Sequence, residues 1–116
     1  MTQHSKYFSP ELLAGKTVLI TGGGTGLGLA MGMKFMTLGA NVVICGRRSE
    51  VLDTAASQLR EAGSGFVETH QCDIRSSEEV EAMMQSISEK TPIDILVNNA
   101  AANFIAQRVL SQTSRR

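Results

Sequence analysis

The apolar run Thr17-Val18-Leu19-Ile20 leads directly into Thr21-Gly22-Gly23-Gly24-Thr25-Gly26-Leu27-Gly28. A buried strand that turns through glycines and opens a helix leaves few folds available. One glycine permits the tight turn, one lets the backbone approach a phosphate, and one lets the helix pack closely. The helix N-terminus then presents unpaired N–H groups and the positive end of its dipole, a seat for an anion such as a dinucleotide pyrophosphate.

The remainder of the chain repeats this alternation. A strand over 17–21 is followed by a helix over 27–38 that Gly39 stops. Asn41-Val-Val-Ile-Cys-Gly46 is a continuous apolar run, as expected of a strand covered on both faces. A second helix is expected over 50–62, with Ser49 as N-cap, Gly63 as stop, and Val51, Leu52, Ala55, Ala56 and Leu59 on one stripe. Residues 66–72 read as a third strand. A third helix over 77–89 starts with the capping-box spacing of Ser76 and Glu79, and Val80, Met83, Met84 and Ile87 form its apolar face. Residues 93–98 supply a fourth strand. Such alternation implies right-handed crossovers and a parallel, doubly wound α/β sheet of order 3-2-1-4, with ligands at the carboxyl ends of the strands.

The residues at those strand ends carry the chemistry. An acid about twenty residues past the glycines would bind a ribose 2′-hydroxyl. Here Arg47-Arg48 stands at that place, with no acid before Glu50. A guanidinium fork suits a phosphate dianion, so NADP(H) is expected in preference to NAD(H). The competing reading, two arginines that merely solvate a helix start, runs against the helix dipole. Asp73 ends the third strand and is either an adenine contact or a turn residue. Asn98-Asn99 ends the fourth and can hold a ribose or cap the strand, because each amide both donates and accepts. Thr21 and Thr25 add hydroxyls at the mouth.

The chain has 116 residues, 42% of them hydrophobic, and no formal net charge, so it is at most one domain with no nucleic-acid or membrane partner expected. The first ten residues lack the apolar core of a signal peptide, so secretion is not expected, and a cytoplasmic location is the expectation. Cys45 and Cys72 lack metal spacing and read as small buried residues of a reducing compartment. No metal site is expected.

Thr21-Gly22-x-x-x-Gly26-x-Gly28, Asp73 and Asn98-Asn99-Ala100-Ala101 together resemble the signature set of the short-chain dehydrogenases/reductases, whose nucleotide-binding part is a Rossmann-like fold. Gly22–Gly28, Cys72-Asp73-Ile74-Arg75 and Asn98-Asn99-Ala100-Ala101-Ala102-Asn103-Phe104 are most similar to the 2,4-dienoyl-CoA reductase branch. The resemblance implies cofactor contacts from Gly22, Gly23, Gly24, Thr25, Gly26, Leu27 and Gly28. It implies a 2′-phosphate contact from Arg47 beside Arg48, adenine contacts from Asp73 and Ile74, and ribose contacts from Asn99 and Ala100. Arg75 and Phe104 would face an acyl-CoA substrate. The implied reaction moves hydride from NADPH to an unsaturated acyl-CoA of fatty acid β-oxidation, with the cofactor supplying the hydride chemistry. Full-length members are expected to form homo-oligomers.

The family's Tyr-x-x-x-Lys pair has no counterpart here, since the single tyrosine is Tyr7. No catalytic residue is therefore assigned. Residues 1–12 read as a lead-in, 13–106 as an NADP-binding half-domain truncated after the fourth strand, and 107–116 as an aberrant polar tail. A truncated or frame-shifted reading of a longer gene would produce that tail. A sheet ending at its fourth strand leaves an open edge, so the isolated chain is expected to be weakly stable and inactive. Two alternatives stay open: a non-catalytic nucleotide-binding relic, or a reductase of another substrate such as a 3-ketoacyl thioester or a sugar.

Overall fold

Strand β1 (Thr17–Thr21) is buried along its whole length, because helices lie against both faces of the sheet that surrounds it. The computed structural model describes residues 11–99, in which six further elements follow. These are α1 (Gly26–Thr37), β2 (Asn41–Gly46), α2 (Ser49–Ala62), β3 (Val67–Gln71), α3 (Ser77–Lys90) and β4 (Ile95–Val97). The four strands form one parallel sheet in the order β3-β2-β1-β4, the expected topology. Residues 1–10 of the lead-in, including Tyr7, lie outside the described residues, as do Ala100, Phe104 and the tail 107–116.

Side-chain alternation divides the core into two layers. Val18, Ile20, Val42, Ile44 and Val67 point to one face, where Met36 of α1 and Leu52, Ala55, Ala56 and Leu59 of α2 cover them. Leu19, Val43 and Cys45 point to the other, beneath Val80, Met83, Met84 and Ile87 of α3. The sheet is thus doubly wound, and the α3 methionines are core. The α1 helix carries apolar residues on its outer side as well, leaving Leu27 and Met33 exposed.

Local details depart from the sequence expectation in four places. Helix α2 begins at Ser49, so Arg48 rather than Ser49 holds the cap position, and it makes no side-chain cap. Glu50 serves the first turn instead: its own backbone N–H, and then Arg48, hold its carboxyl below the usual range. The Ser76 hydroxyl does accept from the Glu79 N–H at 3.3 Å. The Glu79 carboxylate, however, does not close the box; it accepts from the Asp73 N–H at 3.0 Å and so pins the end of β3. Residue Phe66 lies outside β3, exposed, with its N–H donated to Asn41 Oδ1 at 3.0 Å. Finally, β4 starts two residues late because Asp94 replaces the ladder: its carboxylate accepts from the Thr17 N–H, and its N–H donates to the Thr17 carbonyl, both at 2.9 Å.

On β3, His70 Nε2 is buried without a hydrogen-bond partner among the described residues; Glu68 Oε1 stands 3.9 Å away, too far to accept. Burial lowers the His70 pKa from 6.5 and outweighs the attraction of Glu68, and Lys90 acts in the same direction as burial. The unfolded chain therefore takes up this proton more readily than the folded one. The resulting contribution is fully present above the unfolded pKa and is lost as pH falls below it. The urea midpoint should drop between pH 7.5 and 5.5, and a His70→Phe chain should drop less. An equal drop in both chains would assign the effect to other groups.

Candidate functional site

The carboxyl ends of β1, β2 and β3 open into one cleft of about 490 Å³. Gly22, Gly24 and Thr25 form one wall, Gly46, Arg47 and Arg48 the rim, Val51 and Leu52 of α2 another wall, and Cys72, Asp73, Ile74 and Arg75 the third. Most of the residues singled out from sequence thus meet in one place. Three of the glycine-loop positions, Gly26, Leu27 and Gly28, start α1 just outside this lining, with Leu27 exposed.

The loop geometry follows from its composition. Gly26, the first residue of α1, has φ +55°, a conformation that other L residues rarely adopt. Gly28 is closely approached: a Cβ there would collide with the Gly22 carbonyl and lie 2.9 Å from Asn99 Nδ2. Asn99 in turn donates from Nδ2 to the Gly22 carbonyl at 3.3 Å, and Thr21 Oγ1 donates to Asn98 Oδ1 at 3.3 Å. The end of β4 is thereby tied to the loop that follows β1. Glycine here leaves the first turn of α1 with bare backbone, the cradle that a pyrophosphate requires.

The rim is cationic. Arg48 Nε pairs with Glu50 Oε1 at 3.4 Å, both side chains being largely exposed. Among the described residues Arg47 makes no ion pair, and its carbonyl accepts from Gln71 Nε2 at 3.0 Å. The Asp73 carboxylate is gripped by Arg75: the backbone N–H reaches Oδ1 at 3.0 Å, Nε reaches Oδ1 at 3.1 Å, and Nη2 reaches Oδ2 at 3.0 Å. Those Arg75 hydrogen bonds, with help from the charges of Arg75 and Arg47, lower the Asp73 pKa to about 2. Burial pushes the Cys45 thiol up to about 12, and Cys72 adds to the rise, so this cysteine is an inert wall of the cleft. Among the described residues no group of three or more His, Cys, Asp or Glu side chains is gathered for a metal ion. No described helix is long and apolar enough to cross a membrane.

Several contributors escaped the sequence reading. Val51 and Leu52 were legible as a core stripe, yet they also wall the cleft. Gln71, whose amide donates to the Arg47 carbonyl at the tip of β2, carried no motif, and Glu79, legible only as a capping-box residue, also fixes the tip of β3. The adenine and ribose ligands expected of Asp73 and Asn99 are side chains that here hold, respectively, Arg75 and Gly22.

Comparison with known proteins adds the lineage. The family model for short chain dehydrogenases matches residues 16–115, continuing through the tail that reads as aberrant. A peroxisomal 2,4-dienoyl-CoA reductase of Arabidopsis thaliana is 42% identical over 103 residues, 85% of this chain and 33% of that protein. A probable 2,4-dienoyl-CoA reductase of Caenorhabditis elegans is 43% identical over 95 residues, 80% of this chain and 31% of that one. The chain thus spans about a third of the length of these curated relatives. Among solved structures, a citronellol catabolism dehydrogenase of Pseudomonas aeruginosa PAO1 superposes with a TM-score of 0.80 at 31% identity, over 90% of this chain and 53% of its own. An L-sorbose reductase of Gluconobacter frateurii, solved with NADPH and L-sorbose, gives a TM-score of 0.72 at 36% identity, over 78% of this chain and 35% of its own. The glycine loop, the strand order and the matched residues agree: this chain belongs to the short-chain dehydrogenase family.

Proposed function

We propose that this chain forms the NADP(H)-binding part of a cytoplasmic short-chain oxidoreductase that reduces a 2,4-dienoyl-CoA or enoyl-CoA in fatty acid β-oxidation. The observation that carries the cofactor choice is Arg47, a guanidinium without an ion-pair partner among the described residues, on the rim of the cleft that the glycine loop lines. An acid in its place would repel a 2′-phosphate; a guanidinium attracts one. The residues fit the group. Bare backbone at Gly22–Gly28 would take the pyrophosphate, and Val51, Leu52 and Ile74 offer an apolar wall for adenine, with Asp73 as the polar contact. Asn99 and Ala100 would hold the ribose, and Arg75 and Phe104 would lie toward the acyl-CoA. When bound, the cofactor supplies the hydride chemistry. The acyl-CoA substrate is supported by the dienoyl-CoA reductases among the relatives. The two free, buried cysteines suit a reducing compartment.

Calorimetric titration of the whole chain with NADPH and NADH tests this reading. NADPH should bind at least about tenfold tighter, which corresponds to roughly 1.4 kcal/mol. Equal binding, or tighter NADH, would overturn the cofactor choice. Adding 2,4-dienoyl-CoA to the NADPH-bound chain then separates two roles. Binding without turnover favours a non-catalytic nucleotide-binding module.

A further inference from the structure

Arg47, Asp73 and Arg75 line the same cleft, at the tips of β2 and β3. Three cations stand along this rim, and the acids near them are already distributed. Glu50 answers Arg48, and Asp73 answers Arg75 through three hydrogen bonds of 3.0–3.1 Å that engage both carboxylate oxygens. Asp73 and Arg47 stand at adjacent strand tips: Gly46 pairs with Gln71, the Cys72 N–H donates to the Gly46 carbonyl at 2.8 Å, and each residue follows directly on that contact. A carboxylate so placed, left alone, would turn to Arg47 and neutralise it, and its own charge would oppose an incoming phosphate.

We propose that Arg75 is a positioning residue for cofactor choice: it holds the Asp73 carboxylate so that Arg47 stays unpaired for a 2′-phosphate. The inference rests on the NADP(H) reading and extends it to a residue that would never touch the phosphate. The grip is short-range and planar. A backbone N–H and two guanidinium N–H groups converge on one carboxylate, geometry that a lysine reproduces only in charge. Because adenine is common to both cofactors, any direct Asp73 contact to the base cancels in the ratio of NADPH to NADH affinity. That ratio reads only what happens around the 2′-substituent.

The test is a titration of the whole chain and its variants with both cofactors, with circular dichroism and melting temperature verifying the fold. The Arg75 side chain is largely exposed, so its removal leaves the core untouched. Arg75→Ala should weaken NADPH about two- to fivefold, the size expected of an exposed charge pair, and leave NADH unchanged. Asp73→Asn combined with Arg75→Ala should restore the ratio, since no carboxylate then competes for Arg47. Arg75→Lys should fall between wild type and Arg75→Ala. A parallel loss for both cofactors, no change for either, or no restoration by Asp73→Asn would overturn the proposal. Arg47→Ala distinguishes the two levels of failure. If it leaves NADPH affinity intact, the NADP(H) reading fails and takes this inference with it. If it removes the preference while Arg75→Ala leaves the ratio fixed, this inference alone fails.

Discussion

Gly28→Ala is expected to destabilise the chain by about 2–3 kcal/mol, at the upper end for an overpacked site, and to lower its melting temperature by about 10 °C or more. Two principles predict opposite signs here. Helix propensity favours alanine over glycine inside α1 by up to about 1 kcal/mol, so an unpacked position would be stabilised. At Gly28 the added methyl would meet the Gly22 carbonyl and sit 2.9 Å from Asn99 Nδ2. The first of these atoms is backbone, which cannot swing aside as a long side chain would. Relief requires α1 to lift from β1, which also breaks the 3.3 Å bond from Asn99 to Gly22 and frees the end of β4. The same movement displaces the N–H groups that would face a pyrophosphate, so dinucleotide affinity should fall at least about tenfold. Melting followed by optical spectroscopy, with NADPH titration, checks both. A melting temperature at or above that of the wild type would show that propensity wins and that the close approach carries no weight.

That contest also marks where the sequence was legible. Strands β1 and β2 were readable because helices cover both faces, which demands continuous apolar runs such as Val42-Val43-Ile44-Cys45. Helix α3 was readable because one face is core, which imposes the spacing of Val80, Met83, Met84 and Ile87. The glycine loop was readable because the conformation of Gly26 and the crowding at Gly28 tolerate almost nothing else. What escaped was the set of single long-range hydrogen bonds. Asp94 to Thr17 and Asn99 to Gly22 each join residues 77 apart and leave no periodic trace. The Ser76–Glu79 spacing was correctly seen, yet its glutamate serves Asp73, a choice made by the position of β3. Asp73 and Arg75 were each noticed and assigned to different ligands. Their mutual grip spans only two residues, but the turn that creates it appears only in three dimensions.

Arg47→Asp is expected to have the largest effect on cofactor choice, weakening NADPH on the order of 100-fold. The substitution removes the charge-assisted hydrogen bonds to a 2′-phosphate and puts a negative charge in their place. NADH should bind as well or better, because an aspartate at the tip of β2 can accept from the ribose 2′-hydroxyl. The neighbouring arginine supplies the comparison. Arg48 is engaged with Glu50 and largely exposed, so Arg48→Ala should cost NADPH about threefold or less. Ionic strength offers an independent reading of the same contact. A phosphate–guanidinium attraction at an open rim is screened by salt, so NADPH affinity should decline as salt rises. NADH affinity should decline less, and the difference should vanish in the Arg47→Asp chain. Equal losses from the two arginines would point to a diffuse cationic rim in place of a phosphate site. A larger loss from Arg48 would exchange their roles, and would require the Arg48–Glu50 pair to open when the cofactor binds.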